Sequence, residues 1–272
     1  MMSKIVVDSE TSALKINFKE LKHYRDLFYI LAYRDLRVRY AQTFLGSLWA
    51  LLQPLATLVI FILVFGLAVK VDTGGIPYPL FAISGISMWT YFGFVLNQSG
   101  NSVIGAQEMI KKIYFPRLVI PLSKAVVGFV DFGVALIMLV ILMIVYGFAP
   151  TLNLLYAPLF ILLNIIAALS VGIWLSALTI RYRDFQHVIP FLVQFGMYAT
   201  PVAYPARLVP EKYQLIYNLN PMAGVIQGFR WSVFGGDPPD AYFYISMVVI
   251  LVLFVSSLYY FRKVEDVMAD IV

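Results

Sequence analysis

The sequence predicts an all-α integral membrane protein with six transmembrane helices, and three observations predict it. Of 272 residues, 61% are hydrophobic and only 13% are charged, whereas soluble domains average about half apolar and a quarter charged. The charges are missing in blocks: five charge-free runs reach the roughly 20 residues needed to cross about 30 Å of hydrocarbon. Sixteen of the twenty Lys and Arg residues fall on one side of the resulting threading. The same composition excludes a soluble enzyme, a disordered chain and a coiled coil. No dense basic stripe lies away from the membrane flanks, which argues against nucleic-acid binding.

Residues 1–39 read as a cytoplasmic N-terminal segment. Within it, Phe18 to Arg34 has the pattern of an amphipathic helix, with Phe18, Leu21, Phe28 and Leu31 near one face and Lys19, Lys22, Arg25 and Asp26 elsewhere. Just before the first span, such a helix suits the cytoplasmic interface, as a lipid anchor or as a dock for a partner. No cleaved signal peptide is expected, because the first 40 residues mix acids and bases without an apolar core.

The spans follow in order. Tyr40–Val69 and Thr73–Gln107 supply the first two. Phe132–Ile180 is 49 residues long, too long for one helix, and splits at Gly147–Asn153, where Gly147 and Pro150 punctuate and Asn153 can cap. Phe185–Ala206 and Ala241–Phe261 complete the six. The basic residues of the N-terminal segment lie on one side with Lys111, Lys112, Arg117, Lys124, Arg181, Arg183, Arg262 and Lys263. Only Lys70, Arg207, Lys212 and Arg230 lie opposite, so both termini are expected in the cytoplasm.

Between spans five and six, Pro205–Asp240 is too long for a hairpin and too apolar for a solvated loop. One short apolar piece holds Tyr213, Leu215, Ile216 and Tyr217. A second runs from Met222 to Phe234, split from the first by Asn218, Asn220 and Pro221. Two short re-entrant helices satisfy this pattern, provided that other helices cover their turn. A cap lying on the outer surface is the alternative.

Catalytic machinery is sparse. There is no cysteine, hence no disulfide, thiolate metal site or cysteine nucleophile. His23 and His187 have no neighbours at metal-ligand spacing, and no nucleotide-binding glycine loop occurs. The one carboxylate at membrane depth is Asp131, which Lys124, seven residues earlier on the same face, is expected to approach. Asn97, Gln98, Ser99, Asn101 and Ser102 form a polar stripe that either faces water or bonds neighbouring helices. An ion-coupled carrier or channel would need more intramembrane charge. An enzyme acting on lipid-linked sugars would need convergent acids, and Asp72, Asp237 and Asp240 do not obviously converge.

The loop Gln107–Ser123 has the look of a docking element. Glu108 precedes Lys112 by four residues, a favourable helical pair, and Lys111 adds charge. Ile110, Ile113, Tyr114 and Phe115 supply an apolar knob that Pro116 terminates. A second cytoplasmic loop, Ile180–His187, is short enough to be a rigid elbow.

At these residues the chain resembles the permeases of polysaccharide-exporting ABC transporters. RYAQTFLGSLWALLQPL (39–55) is similar to the start of their first span, KKIYFPRLVIPLS (111–123) to their loop entering the third, and NLNPMAGVIQGFRWSVFG (218–235) to their outer segment. O-antigen and teichoic-acid exporters are the nearest subgroups, with capsule or other glycolipid exporters as the alternative. The resemblance makes residues 40–272 a six-span exporter domain in the inner membrane. It implies a second copy of the permease and a separate ATPase subunit carrying ATP and Mg, with no cofactor or metal in this chain and no catalysis by it. The substrate it implies is a polysaccharide linked to polyprenyl pyrophosphate.

It also implies roles. Phe18, Leu21, Arg25 and Phe28 would contact the ATPase together with Glu108, Lys111, Lys112, Tyr114, Phe115, Pro116 and Arg117. Arg34, Arg37 and Arg39 would draw the pyrophosphate to the entrance. Sugar rings stack on aromatic faces, and Tyr40, Trp49, Trp89, Tyr91, Phe92, Tyr198 and Tyr204 are the candidate channel aromatics. Tyr213, Tyr217, Asn220, Pro221, Arg230 and Trp231 would form the outer gate.

Overall fold

In the computed structural model, residues 18–41, 43–265 and 268 are described, and among them the secondary structure is wholly helical. The expected interfacial helix is two: α1 (Phe18–His23) and α2 (Arg25–Tyr40), bent at Tyr24 and running six residues beyond Arg34. The side chain of Phe18 and the residues before it lie outside what is described. Leu31 and Ala32 of α2 are buried against α6 (Val119–Val145), while Tyr29, Ile30 and Tyr33 stay exposed.

The first span is Gly46–Ala68: a 3-10 turn, then α3 (Trp49–Phe61), then a wider π-helical stretch over Ile62–Ala68. The second, α4 (Tyr78–Gly100), is the buried axis of the molecule, packed by α3, α6, α7 (Ala157–Arg181), α8 (Phe185–Tyr198) and α10 (Pro221–Phe234). Its small residues permit that crowding. A methyl group on Gly93 would stand 2.7 Å from Val193, and one on Gly100 would stand 2.5 Å from Ile189. The loop Gln107–Ser123 contains α5 (Gln107–Lys112) and leads into α6.

The break expected at Gly147 is present. Gly147 is left-handed (φ +65°), and the bonds Phe148 N–H to Met143 O and Gly147 N–H to Ile144 O close a Schellman cap on α6. The chain returns as α7 (Ala157–Arg181), preceded by a 3-10 stretch, and this Leu152–Arg181 segment is the fourth span. The last span is α11 (Phe243–Glu265), laid along α7 and α10.

Among the described residues five helices, not six, are long and apolar enough to cross a membrane by themselves. The run expected as span five folds as α8 (Phe185–Tyr198), whose 14 residues reach about 21 Å. Pro201 stops it, since the residue before a proline is disfavoured in helical conformation. Residues 200–203 continue buried but not helical. The outer segment holds two short helices, as expected: α9 (Glu211–Tyr217) and α10 (Pro221–Phe234). Asn220 caps α10 by accepting from Met222 N–H at 3.0 Å, and Pro221 occupies its first turn.

Candidate functional site

The end of the bundle where α2 crosses α6 is organised by acid–base pairs between segments far apart in sequence. Asp35 of α2 is held by Lys124 of α6 and by Arg34 at 2.8 Å. Reciprocally, Asp131 of α6 is held by Arg39 and by the hydroxyl of Tyr40, both at the end of α2. Lys124 therefore does not approach Asp131. The seven-residue step along α6 is about 10 Å, and α2, lying across that step, offers each charge a nearer partner. Burial pushes the Asp35 carboxyl up, but hydrogen bonds and charge from Lys124 and Arg34 outweigh it and hold the group below its usual 3.8.

Of the three expected entrance arginines, Arg34 and Arg39 are thus already engaged by carboxylates, and Arg39 also lies 4.2 Å above the ring of Phe94. Arg37 is exposed on α2. Leu21 and Phe28 pack partly against the core, and Arg25 is exposed beside Asp26 at 3.5 Å.

The loop Gln107–Ser123 meets the N-terminal helices directly. Tyr24 donates to Tyr114 O at 3.3 Å, and the Tyr114 hydroxyl lies 3.4 Å from Glu20. The Glu108–Lys112 pair forms at 3.5 Å, with Lys111 and Lys112 exposed. The apolar knob, however, is smaller than expected. Ile113 and Tyr114 project outward, whereas Ile110 and Phe115 are buried. The helix stops at Lys112, where Ile113 turns extended, and Phe115 folds inward just before Pro116. Arg117 faces Glu265 at the end of α11 rather than solvent.

A cleft of about 530 Å³ opens above the Arg39–Asp131 pair, between α3, α4, α6 and α8. Its wall mixes aromatic faces (Trp89, Tyr91, Phe94, Phe132) with polar groups (Gln53, Thr57, Thr90, Gln194). Trp89 and Tyr91 are among the expected channel aromatics, though only their edges are open, and Tyr91 donates to Ala125 O at 3.1 Å. Phe92 is packed behind Trp89, and Tyr40 sits at the mouth on Asp131. Trp49 and Tyr198 lie outside the cleft on exposed faces of α3 and α8.

Sequence reasoning misses Gln53, Thr57, Thr90 and Gln194. The available signal is two amides within long apolar runs. The polar stripe on α4 divides between its two readings. Ser99 donates to Pro121 O at 2.9 Å and Ser102 to Ser99 O, while Gln98 is exposed and lines smaller pockets beside Lys124.

At the opposite end of the bundle, Tyr204 donates to Tyr198 O at 2.9 Å, and Tyr217 lies 3.5 Å from the Tyr204 hydroxyl. Asn220 reaches Thr200 Oγ1 at 2.7 Å, while Tyr213 is exposed and Trp231 packs on Tyr156. Arg230 does not face a lumen. It is buried, and its guanidinium donates to Phe81 O at 2.9 Å, Val202 O at 2.7 Å, Pro201 O and Ser84 Oγ, with the Phe81 ring 3.5 Å beneath. A methyl group on Gly85 would collide with it at 2.5 Å.

A helical bundle with five membrane-length apolar helices, one charged end and a polar, aromatic cleft leading from it has the makings of the membrane part of a transporter, and the comparison with known families gives that class. Over residues 26–234 the chain matches the ABC-2 type transporter family, and it belongs to that family. It is 32% identical, over 90% of its length and 95% of the relative's, to the O-antigen export system permease protein RfbA of Klebsiella pneumoniae. Against the protein of that name from Myxococcus xanthus it is 27% identical, over 91% of this chain and 96% of the relative. The polysialic acid transport protein KpsM of Escherichia coli is 25% identical, over 87% of this chain and 93% of the relative.

Proposed function

We propose that this chain is the permease subunit of an ATP-driven exporter that moves a cell-surface polysaccharide, of O-antigen or capsule type, out of the cytoplasm. The observation that carries the reading is the cleft. It begins at a cytoplasmic cluster of cations and continues between aromatic faces and side-chain amides, the groups that sugar rings and hydroxyls engage. Near full-length similarity to two kinds of polysaccharide permease supports it. An anionic diphosphate head would meet Arg37 first, with Arg34 and Arg39 available on displacement of Asp35 and Asp131.

The fifth crossing is made by α8 together with residues 199–206, and both termini lie in the cytoplasm of a cell whose inner membrane holds the protein. A second copy closes the cleft. On α3 and the π-helical stretch that continues it, Trp49, Val59, Ile60 and Leu63 are exposed, and on α8 so are Phe191, Leu192, Phe195 and Tyr198, so both segments flanking the cleft carry an uncovered apolar face. The ATPase is a separate subunit that docks on α1, α2 and α5. Its conformational cycle is passed to the bundle as a rigid-body displacement.

The test is co-purification with a nucleotide-binding subunit, followed by ATPase and lipid-linked glycan export assays in vesicles. Export by the permease with no ATPase present would overturn the reading. Replacing Lys111, Lys112 and Tyr114 with Ala is expected to leave the fold intact and to separate ATP turnover from export, because all three side chains are exposed. Unchanged export in that variant would remove α5 from the coupling path.

A further inference from the structure

The end of α11 is built into the coupling loop. Arg117 N–H donates to Glu265 Oε1 at 2.9 Å, and the Arg117 guanidinium reaches the Glu265 backbone carbonyl. Arg262 holds the other carboxylate oxygen at 2.8 Å. Glu265 is 9% exposed, so this clamp sits at the boundary of the core, where charge-assisted bonds are little weakened by water.

The opposite end of α11 is built into the outer helices. Ser246 is fully buried. Its hydroxyl lies 2.8 Å from Asn218 O and 3.2 Å from Asn220 O, the turn joining α9 to α10, and accepts Gly224 N–H of α10 at 3.2 Å. Gly224 is needed for that approach, since a Cβ there would stand 2.7 Å from Ser246 Cβ. The two pins stand nineteen helical steps apart on unbroken helix, about 28 Å, steadied by the Trp174–Tyr260 stack with centroids 4.8 Å apart.

We propose that α11 is a tie rod linking the cytoplasmic coupling loop to the turn between α9 and α10. Glu265 and Ser246 are the positioning residues at its two ends. The proposal rests on the permease reading and adds a route to it. Displacement of the coupling loop by the ATPase moves Arg117, Arg117 carries Glu265, and the helix delivers the shift to the α9–α10 turn. An α-helix transmits an axial displacement with little loss when both ends are fixed by specific bonds, and these two ends are.

The chain has no cysteine, so a single introduced thiol reports cleanly. Leu219, in the α9–α10 turn, is half exposed. Leu219→Cys is introduced into the permease and the complex with its ATPase is reconstituted. Labelling by a membrane-impermeant maleimide is then followed with and without a non-hydrolysable ATP analogue.

In the parent complex the analogue is expected to change the labelling rate about fivefold. In Glu265→Gln and in Ser246→Ala, each on the Leu219→Cys background, the change collapses and export falls, while ATP turnover stays within about twofold. Retention of the labelling response in Ser246→Ala overturns the proposal whatever Glu265→Gln does. So does a parent complex that exports without any response at the introduced thiol. Failure of the permease reading looks different: no ATPase is retained by the parent at all, before any variant is compared.

Discussion

The two ends of the molecule hold their charges in opposite ways. At the end where α2 meets α6, Asp35 and Asp131 each face a cation from another segment, and the Arg39 and Asp131 side chains remain about a quarter exposed. At the opposite end, Arg230 is buried among one hydroxyl and three backbone carbonyls, with no carboxylate among its described partners. The first arrangement is exchangeable, because water or another anion can replace either partner. The second is not, because removing the guanidinium strands buried acceptors that have no solvent to turn to. The contrast separates a face built to be displaced from one built to stay assembled.

The largest effect is expected where exchange is least possible. Arg230→Met leaves the Pro201 and Val202 carbonyls without a donor and should cost about 3–5 kcal/mol. In detergent that should lower the apparent Tm by on the order of 10 °C, with Arg230→Lys falling between. A melting curve unchanged by Arg230→Met would abolish the distinction between the two ends.

An intermediate effect is expected at the cleft mouth. Asp131→Asn weakens the bonds from Arg39 and Tyr40 at a partly exposed site and should cost about 1–2 kcal/mol. A double-mutant cycle with Arg39→Gln should return a coupling energy on the order of 1 kcal/mol. Additive costs would mean that the pair is adventitious.

The smallest effect is a pH dependence. Asp35 has a carboxyl held below its ordinary 3.8 in the folded protein. Its contribution to stability is therefore present above that value and is lost as pH falls through the folded pKa. Melting curves taken on either side of pH 3.8 should show the wild type losing more stability on acidification than Asp35→Asn. Parallel losses in the two proteins would mean that Lys124 and Arg34 do not stabilise the charged form.

Much of the fold is legible in the sequence. The Schellman cap at Gly147 and the Asn220–Pro221 start of α10 depend on residues within one turn of each other, so local sequence suffices to see them. The docking loop is half legible. Its i, i+4 pair is local, but Phe115 and Tyr114 are adjacent aromatics of which one turns in and one out, and only the neighbours decide that. Helical spacing matches Lys124 with the carboxylate nearest along its own helix, whereas its partner is 89 residues away. The family resemblance assigns Arg230 to an outer gate but says nothing of which groups its guanidinium meets. Gly85 and the carbonyls after α8 supply another destination that no window of sequence contains.

The sequence by itself determined that the chain lies in a bilayer, where its charge-free stretches run and which family it resembles, because hydropathy and motifs are properties of contiguous residues. Tertiary structure alone decided which charge faces which, and that α11 joins the Gln107–Ser123 loop to the turn between α9 and α10. Those are contacts between segments brought together only by packing. In a membrane a buried polar group takes whichever partner the fold brings within reach, however distant that partner is along the chain.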